Sequence, residues 1–281
     1  EKVYGALGVK FLYKTGPGFL VERALFSRRP LSKLYGAYND TKFSAARVPQ
    51  FIRDFSINMA EYEEPAAGFK SFNDFFTRRF KPGARPFPAD VATLGSPAEG
   101  RVLAYAKLDA DTALPVKGQG VKLARLLGSE ELARRYTGGS GYIIRLCPVD
   151  YHRYHFPDDG QAGRPLTISG AFHSVNPWAL ERLPGLLAEN ERVLTILQSK
   201  NFGGLALLEV GAMMVGRMEQ TFEPGTIVKR GDEKGYFLFG GSTMILLAEP
   251  GRLTPSADLL ENSAKGFETL VRLGEPLGGH P

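Results

Sequence analysis

Three closely spaced prolines divide this chain into two stretches of different pattern. Pro82, Pro86 and Pro88 follow a helix-like N-terminal stretch and precede a series of short apolar runs separated by turn residues. Short runs of this kind, rich in β-branched and aromatic residues, are typical of strands. The sequence therefore predicts an α+β protein, with a helical region over residues 1–88 and a β-rich, barrel-like or sandwich-like domain over residues 89–281.

The predicted strands share an apolar run bounded by turn residues, and they are Arg101–Lys107, Gly141–Leu146, Leu166–Ser169, Arg192–Leu197, Leu205–Val210, Ala212–Thr221, Tyr236–Phe239 and Thr243–Ala248. Helices are predicted at Val121–Gly128, Ser129–Tyr136, Trp178–Leu187 and Ala257–Leu273. In the N-terminal region, prolines and glycines break the helical pattern into short helices. Ser71 is predicted to cap one of these helices, and the phenylalanines of that helix are predicted to face the core.

Composition excludes several classes of protein. The chain has 281 residues, of which 43% are hydrophobic and 23% charged, so it is neither disordered nor fibrous. The one cysteine, Cys147, excludes a disulfide within the chain and fits a reducing compartment.

All of the net positive charge lies near the N-terminus. Residues 1–47 contain nine Lys or Arg and three acidic residues, interspersed with many apolar ones. Basic and apolar residues in this combination are typical of a helix that lies on an anionic membrane surface. No apolar run approaches the ~20 residues of a spanning helix, and Lys10 and Lys14 interrupt what would be the core of a secretory signal. The alternative is a helical hairpin that packs on its own domain and exposes a basic face.

Two of the four histidines lie three residues apart, in the segment Tyr151–His155 between a predicted strand and a turn. Catalytic groups concentrate in such loops. No third ligand stands at a suitable spacing, so no metal is expected. Ordinary packing of both His152 and His155 remains the alternative.

Ser242 follows two glycines between two apolar runs, Tyr236–Phe239 and Thr243–Leu247. A hairpin turn is one interpretation. A hydrolase nucleophile elbow does not fit, because Met244 replaces its last glycine and the residues that follow are strand-like. Glycines before the serine allow a strained backbone and leave the Gly241 carbonyl accessible.

Taken together, these motifs resemble the phosphatidylserine decarboxylase proenzyme family over nearly the whole chain. The matching stretches are Ser71–Arg78, Ser96–Gly100, Asp150–His155, Ser174–Pro177, Asn190–Arg192, Val210–Ala212 and Gly241–Thr243. Their combination and order make the resemblance specific.

The resemblance implies a proenzyme that cuts its own backbone between residues 241 and 242. The Ser242 hydroxyl attacks the carbonyl carbon of Gly241 and converts the amide to an ester. Elimination then releases residues 1–241 and leaves a dehydroalanine on chain 242–281, which tautomerises and is hydrolysed to a pyruvoyl group with loss of ammonia. By the family pattern His155 is the acid or base of an Asp–His pair, and His152 orients the substrate or balances its charge.

The implied reaction is the conversion of phosphatidylserine to phosphatidylethanolamine and carbon dioxide. The pyruvoyl group forms a Schiff base with the substrate amine and accepts electrons as the carboxylate leaves, and His155 is expected to return the proton. The implied partners are a phospholipid in an anionic membrane and the two cleaved chains, which stay folded together; a homodimer is also a candidate, and nucleic acid is not. The implied location is the cytoplasmic face of a membrane, as a peripheral protein.

One position departs from the family pattern, which has aspartate where this chain has Glu99. The extra methylene displaces the carboxylate by roughly 1.5 Å, and a misplacement of ~1 Å can cost about 10²-fold in rate. We expect the exchange to be tolerated, with Glu99 as the orienting or activating carboxylate. His173 is expected to make local hydrogen bonds, and His280 to lie in a disordered tail.

Three alternatives remain open at this stage. The first keeps the fold and cofactor but acts on a soluble, aromatic amino acid. The second is a serine hydrolase that uses Ser242, His155 and Glu99 without self-cleavage. The third is a membrane-binding module without catalysis.

Overall fold

The computed structural model describes residues 6–27, 29–116, 119–175, 177–183, 185–213, 217–240 and 242–281. Its α-helices in chain order are α1 (Ala6–Lys14), α2 (Gly16–Val21), α3 (Arg29–Asn39), α4 (Val48–Phe55), α5 (Phe72–Phe76), α6 (Leu123–Leu127), α7 (Glu130–Tyr136), α8 (Pro177–Arg182), α9 (Leu186–Glu189) and α10 (Ala257–Ala264). A π-helical turn spans Glu22–Phe26, and 3-10 turns span Lys42–Arg47 and Met59–Glu61.

The strands are β1 (Thr93–Gly95), β2 (Gly100–Tyr105), β3 (Ala113–Val116), β4 (Gln119–Val121), β5 (Ser140–Leu146), β6 (Arg153–His155), β7 (Gly160–Ala162), β8 (Leu166–Ile168), β9 (Arg192–Ser199), β10 (Gly203–Val210), β11 (Met218–Gln220), β12 (Ile227–Val228), β13 (Glu233–Phe237), β14 (Ser242–Ala248), β15 (Thr254–Pro255), β16 (Thr269–Val271) and β17 (Pro276–Gly279).

A large antiparallel sheet forms the centre of the molecule. Its strand order is β12-β7-β9-β10-β14-β5-β2-β16, with β8 also paired to β9. Within the described residues, β12 and β16 end the sheet, so it is open and does not close into a barrel. Smaller sheets are formed by β11-β13-β6, by β1-β17-β15 and by the pair β3-β4.

Both faces of the central sheet are buried, and alternate residues of each strand belong to different core clusters. In β14, Ile245 and Leu247 pack on the first face, whereas Met244, Leu246 and Ala248 pack on the second. Helices α6, α7 and α9 cover the first face with residues such as Leu126, Tyr136 and Leu187. The second face is covered by the β11-β13-β6 sheet, through residues such as Tyr154 and Phe237. A sheet buried on both sides explains why its central strands are apolar almost throughout.

The N-terminal region consists of short helices, as its prolines and glycines predict. The predicted cap of α5 is confirmed, because the Asp74 N–H donates to Ser71 Oγ at 3.1 Å. In α5 the side chains of Phe72, Phe75 and Phe76 are fully buried and form a cluster with Phe239 from the strand region. None of the described helices is long and apolar enough to span a membrane.

The α+β class is confirmed, and the longer predicted strands match β2, β5, β8, β9, β10 and β14 within a few residues. The hairpin interpretation of the Gly-Gly-Ser segment is wrong, because β13 and β14 lie in different sheets. The predicted strand Ala212–Thr221 is reduced to β11, and its residues 214–216 lie outside the described residues.

Two predicted helices also differ from the structure. The predicted Ala257–Leu273 helix ends at Ala264, because Gly266 adopts a φ of 78° and the chain then pairs with β2 as β16. The predicted Trp178–Leu187 helix is divided into α8 and α9, with Gly185 at a φ of 81° between them. The division into regions 1–88 and 89–281 stays a prediction.

Candidate active site

Ser242 is the first residue of β14 and is fully buried. It lies across from Leu146, the last residue of β5. By strand alternation its side chain points to the same face as Met244, which is the face covered by the β6–β13 sheet. Its Oγ has no hydrogen-bond partner among the described residues. The structure therefore holds a hydroxyl without a partner at the predicted cleavage position; Gly241 itself lies outside the described residues.

The segment between β13 and Ser242 is held by the N-terminal region. Gly240 has a φ of 153°, which a residue with a side chain rarely adopts. The backbone N–H of Phe239 donates to Asn73 Oδ1 at 3.0 Å, and Asn73 also donates to Asp40 Oδ1 at 2.8 Å. Helix α5 thus fixes the backbone three residues before Ser242.

His152 is fully buried beside the end of β13. The Phe237 N–H donates to its carbonyl oxygen at 2.9 Å, and its ring lies 3.8 Å, between centroids, from that of Phe76. His152 Nδ1 is 3.0 Å from the Asp150 carbonyl oxygen, which can only accept, so Nδ1 carries the proton and Nε2 a lone pair. That Nε2 has no described partner. Burial lowers the pKa of His152 to about 3, so the ring is neutral near pH 7 and can orient a substrate but not supply positive charge.

His155 lies three residues further along β6 and pairs with Glu233 rather than with the residues next to the cleavage position. Its Nδ1 is 2.8 Å from the Gly231 carbonyl oxygen, and its Nε2 is 3.1 Å from the Tyr151 hydroxyl. The Gly231 carbonyl can only accept, so Nδ1 carries a proton, whereas the Tyr151 hydroxyl can either donate to Nε2 or accept from it. Burial lowers the pKa of His155 as well. Both ring nitrogens of His155 are therefore engaged.

Glu99 lies immediately before β2, which is the neighbour of β5 on the side away from β14. Neighbouring strands lie ~4.8 Å apart, so the start of β2 beside Glu99 and the start of β14 at Ser242 are separated by roughly 10 Å. Its carboxylate is held by Arg85, with Nε at 2.7 Å, and it also accepts from the Leu273 N–H at 3.3 Å. Among the described contacts none joins Glu99 to His155 directly. The link runs through the backbone instead, because the His155 N–H donates to the Pro97 carbonyl oxygen at 2.8 Å.

Asp150 is a carboxylate that the sequence reasoning did not assign. Its Oδ2 accepts from the Cys147 N–H at 2.7 Å and from Arg101. Burial raises the pKa of the Asp150 carboxyl to about 6, against the opposing effect of Arg101. Cys147 follows Leu146, the partner of Ser242, so Asp150 is tied to the same sheet end. Its position as the first residue of the histidine motif was the available signal.

A buried ion pair joins the two layers next to the site. Lys234 of β13 donates to both oxygens of Glu209 of β10 at 2.9 Å and to Gln220 Oε1 at 2.7 Å. Neither side chain of the pair is exposed, and Glu209 lies across from Met244, two residues after Ser242. Burial raises the pKa of Glu209 and lowers that of Lys234, and each shift is opposed by the partner. All three donors of the Lys234 ammonium are used, so this group holds structure.

The residues present fit a cofactor made from Ser242, because this hydroxyl is buried, no described residue engages it, and such a group needs no ligand from outside. Within the described residues, no three His, Cys, Asp or Glu side chains are grouped so that they could hold a metal ion. The structure brings Ser242, His152 and Asp150 to one sheet end. His155 and Glu99 belong to a neighbouring cluster with Tyr151 and Arg85.

Comparison with known proteins supports the resemblance. The profile of the phosphatidylserine decarboxylase family matches residues 72–279. A phosphatidylserine decarboxylase proenzyme of Clostridium novyi (strain NT) is 45% identical over 278 residues, covering 99% of this chain and 94% of the relative. Proteins with the same name from Ruminiclostridium cellulolyticum and Clostridium botulinum (strain Kyoto / Type A2) are 42% and 41% identical, at 99% of this chain and 93% and 94% of the relatives.

Proposed function

The chain belongs to the phosphatidylserine decarboxylase family, and we propose that it converts phosphatidylserine to phosphatidylethanolamine and carbon dioxide after cutting its own backbone between residues 241 and 242. The observation that carries this proposal is the buried Ser242 Oγ, for which the described part of the chain offers no hydrogen-bond partner. A buried hydroxyl in that state costs stability. A chemical role for the hydroxyl accounts for that cost.

In the proposed self-cleavage, Ser242 Oγ loses its proton as it bonds to the carbonyl carbon of Gly241. His155 is the proposed acid/base. With the proton on Nδ1, its Nε2 can accept from the Tyr151 hydroxyl 3.1 Å away, and this hydroxyl is proposed to pass the proton on. Glu99 is the proposed positioning carboxylate, which acts through its Arg85 pair and the Pro97 carbonyl that holds the His155 backbone. The second candidate base is His152, because its Nε2 is unpartnered among the described residues and lies beside the segment that leads to Ser242.

In the proposed decarboxylation, a pyruvoyl group derived from Ser242 would supply a carbonyl able to form a Schiff base with the substrate amine and to take up electron density from the departing carboxylate. The residues around it exclude water, because Phe76, Phe237 and Phe239 are buried at the same sheet end. Neutral His152 is proposed to orient the substrate. His155 is the proposed donor of the proton that replaces the carboxylate.

The proposed substrate is a membrane lipid, which the N-terminal region would approach as a peripheral protein at the cytoplasmic face. We define the N-terminal apolar set as the exposed large hydrophobic residues among the first 43, namely Leu7, Phe11, Leu20, Val21, Leu25, Leu34, Tyr38 and Phe43. These are eight of the 13 such residues described in the chain. Together with the basic residues of this region they support binding to an anionic bilayer. The homodimer stays a prediction.

The test is the intact mass of the purified protein under denaturing conditions. Self-cleavage yields a fragment of Ser242–Pro281, about 4.4 kDa by proportion of chain length, whose first residue is a pyruvoyl group. The Ser242→Ala variant should stay at full length and release no carbon dioxide from phosphatidylserine vesicles. A full-length wild-type chain that releases carbon dioxide would contradict the proposal.

The same mass measurement distinguishes His155 from His152 as the base. Together with labelling and substrate assays, it also tests the alternative functions. Loss of the fragment in His155→Gln but not in His152→Phe supports His155 as the base, and the reverse result transfers the role to His152. A full-length chain that reacts with a fluorophosphonate at Ser242 would indicate the serine hydrolase. Cleaved protein that decarboxylates free aromatic amino acids but not phosphatidylserine vesicles would indicate the soluble substrate.

A further inference from the structure

A cavity of about 480 Å³ lies where the N-terminal region meets the strand region. It is lined by Arg23, Ser27 and Pro30 from the N-terminal side and by Gly170–His173 from the other. The Phe172 N–H donates to the Ser27 carbonyl oxygen at 3.1 Å, so the two sides are joined at the wall of the cavity. Its volume is in the range that holds a small ligand or a lipid head group.

A buried polar network lies behind His173. Nδ1 of His173 is 2.8 Å from Glu22 Oε1, which also accepts from the Tyr13 hydroxyl at 2.8 Å. The His173 backbone is fixed as well, because its N–H donates to Asn190 Oδ1 and its carbonyl oxygen accepts from Asn190 Nδ2. Glu22 is fully buried and lies in the π-helical turn, an irregularity that is frequent at functional sites.

The network leaves one nitrogen of His173 for a ligand. Glu22 Oε1 already accepts from the Tyr13 hydroxyl, so Nδ1 of His173 is assigned as a second donor to that oxygen, and Nε2 has no partner among the described residues. In the charged form of the ring, Nδ1 keeps its bond to Glu22 while Nε2 donates to an anion. Arg23 carries the fixed positive charge among the described lining residues, and its guanidinium suits phosphate oxygens.

We propose that this cavity binds a phosphate group between Arg23 and His173. The Tyr13–Glu22 network holds the imidazole in place. The source is either the head group of a membrane phospholipid or free phosphate. The location favours the lipid, because Leu20, Val21 and Leu25 of the N-terminal apolar set are exposed within three residues of Glu22 or Arg23. The lipid source rests on the proposed function; the phosphate site does not.

The cavity is connected to the active-site end of the central sheet. The Glu191 N–H donates to the Ala171 carbonyl oxygen and the Gly211 N–H to that of Glu191, each at 2.9 Å. Gly211 follows Val210, which pairs with Thr243. A head group held in the cavity would therefore place its lipid at the same end of the sheet as Ser242.

The test uses the full-length Ser242→Ala chain, so that binding is measured independently of cleavage. One arm measures binding to phosphatidylglycerol vesicles by co-sedimentation, and the other titrates inorganic phosphate by calorimetry, both at constant ionic strength. Arg23→Gln and His173→Gln test the site. Lys10→Gln is the matched control, because it removes one exposed positive charge from the same region.

A surface cation contributes about 1 kcal/mol to binding an anionic membrane, or roughly fivefold in affinity. We expect Lys10→Gln to lose no more than that on vesicles and Arg23→Gln at least tenfold, with His173→Gln in the same direction. If instead Arg23→Gln matches the control on vesicles but abolishes phosphate binding, the phosphate site stands and its source is the free ion. If Arg23→Gln and Lys10→Gln are alike in both arms, the proposal is overturned. Failure of the proposed function would appear separately, as a wild-type chain that stays at full length.

Discussion

Leaving a buried polar atom without a partner costs about 1–3 kcal/mol, and two such atoms lie at one end of the central sheet. Ser242 Oγ and His152 Nε2 are both in this state among the described residues. The surrounding aromatic side chains keep both groups from water, so hydration does not offset this cost. A role of Ser242 Oγ and His152 Nε2 in the reaction would account for this loss of stability.

His152 makes stability depend on pH in a direction that can be worked out. Its pKa is about 3 in the folded chain and ordinarily about 6.5, so the unfolded chain binds more protons between these values. The stability that burial of neutral His152 leaves intact is fully present above about pH 6.5, and this contribution is lost as the pH falls toward 3. At pH 4.5 the loss from this residue is about 3 kcal/mol relative to pH 7.

We therefore expect His152→Phe to lose about 3 kcal/mol less than the reference chain between pH 7 and pH 4.5. Urea unfolding measures this, with Ser242→Ala in both chains so that neither is cleaved. Phenylalanine suits the position because the ring already packs on Phe76. Equal losses in the two chains would show that His152 is not buried in its neutral form.

Sequence reasoning at this scale identified residue types better than their partners. The structure groups Ser242 with His152 and Asp150 at one sheet end, whereas the resemblance grouped it with His155 and Glu99. The carboxylate expected to pair with a histidine, Glu99, is held by Arg85. Arg85 lies in the proline-rich connector, where no local pattern marks it as a partner. Such pairings depend on how distant segments fold together, which spacing along the chain does not encode.

At the scale of elements, helix α5 anchors the backbone segment between β13 and Ser242 through one hydrogen bond, which we call the α5 clamp. Asn73 accepts from the Phe239 N–H, whereas Ser71, two residues earlier, caps the N-terminus of the same helix. Substituting Asn73 therefore removes the hydrogen bond to Phe239, whereas substituting Ser71 tests the stability of the helix alone. Both side chains are buried, and both lie in one short helical segment.

We expect Asn73→Ala to slow the appearance of the Ser242–Pro281 fragment by tenfold or more, because the backbone before Ser242 loses its anchor. Ser71→Ala should cost about 1 kcal/mol of stability, the usual loss for a helix cap, while leaving the Phe239 contact in place. Fragment formation is followed by mass after synthesis in a cell-free system. Equal slowing in both variants would attribute the effect to general instability.

The elements that sequence patterns found are those with an apolar signal of their own. Strands β5, β10 and β14 are buried on both faces and read as continuous apolar runs. Short strands such as β6 and β7 carry charged, glycine or histidine residues, and β12 consists of only Ile227 and Val228; all three form by pairing with neighbouring strands. The closing helix was predicted too long for the same reason, since pairing with β2 overrides the helical pattern after Ala264.

On the scale of the whole molecule, charge and exposed apolar surface are concentrated in one part of the chain. The first 47 residues carry all the net positive charge, and the N-terminal apolar set lies among them. Their sequence predicted this combination but not which side chains are exposed. Tyr13 and Leu12 in α1 are buried against the body, whereas Leu7 and Phe11 of the same helix face solvent. That division depends on the contact between the N-terminal region and the central fold.

The last prediction follows from this surface. Leu20 and Leu25 are 71% and 57% exposed, and inserting a leucine into a bilayer contributes up to about 2 kcal/mol. We expect the double variant Leu20→Ser, Leu25→Ser to bind phosphatidylserine vesicles at least tenfold more weakly in co-sedimentation, without a change in the Ser242–Pro281 fragment. The matched control replaces Ile227 and Leu270 by serine, since they are 71% and 60% exposed but lie in strands outside the N-terminal region. Equal loss in both variants would show that the bilayer does not select the N-terminal surface, whereas loss in the first alone would locate membrane binding in the region where charge and exposed apolar area coincide.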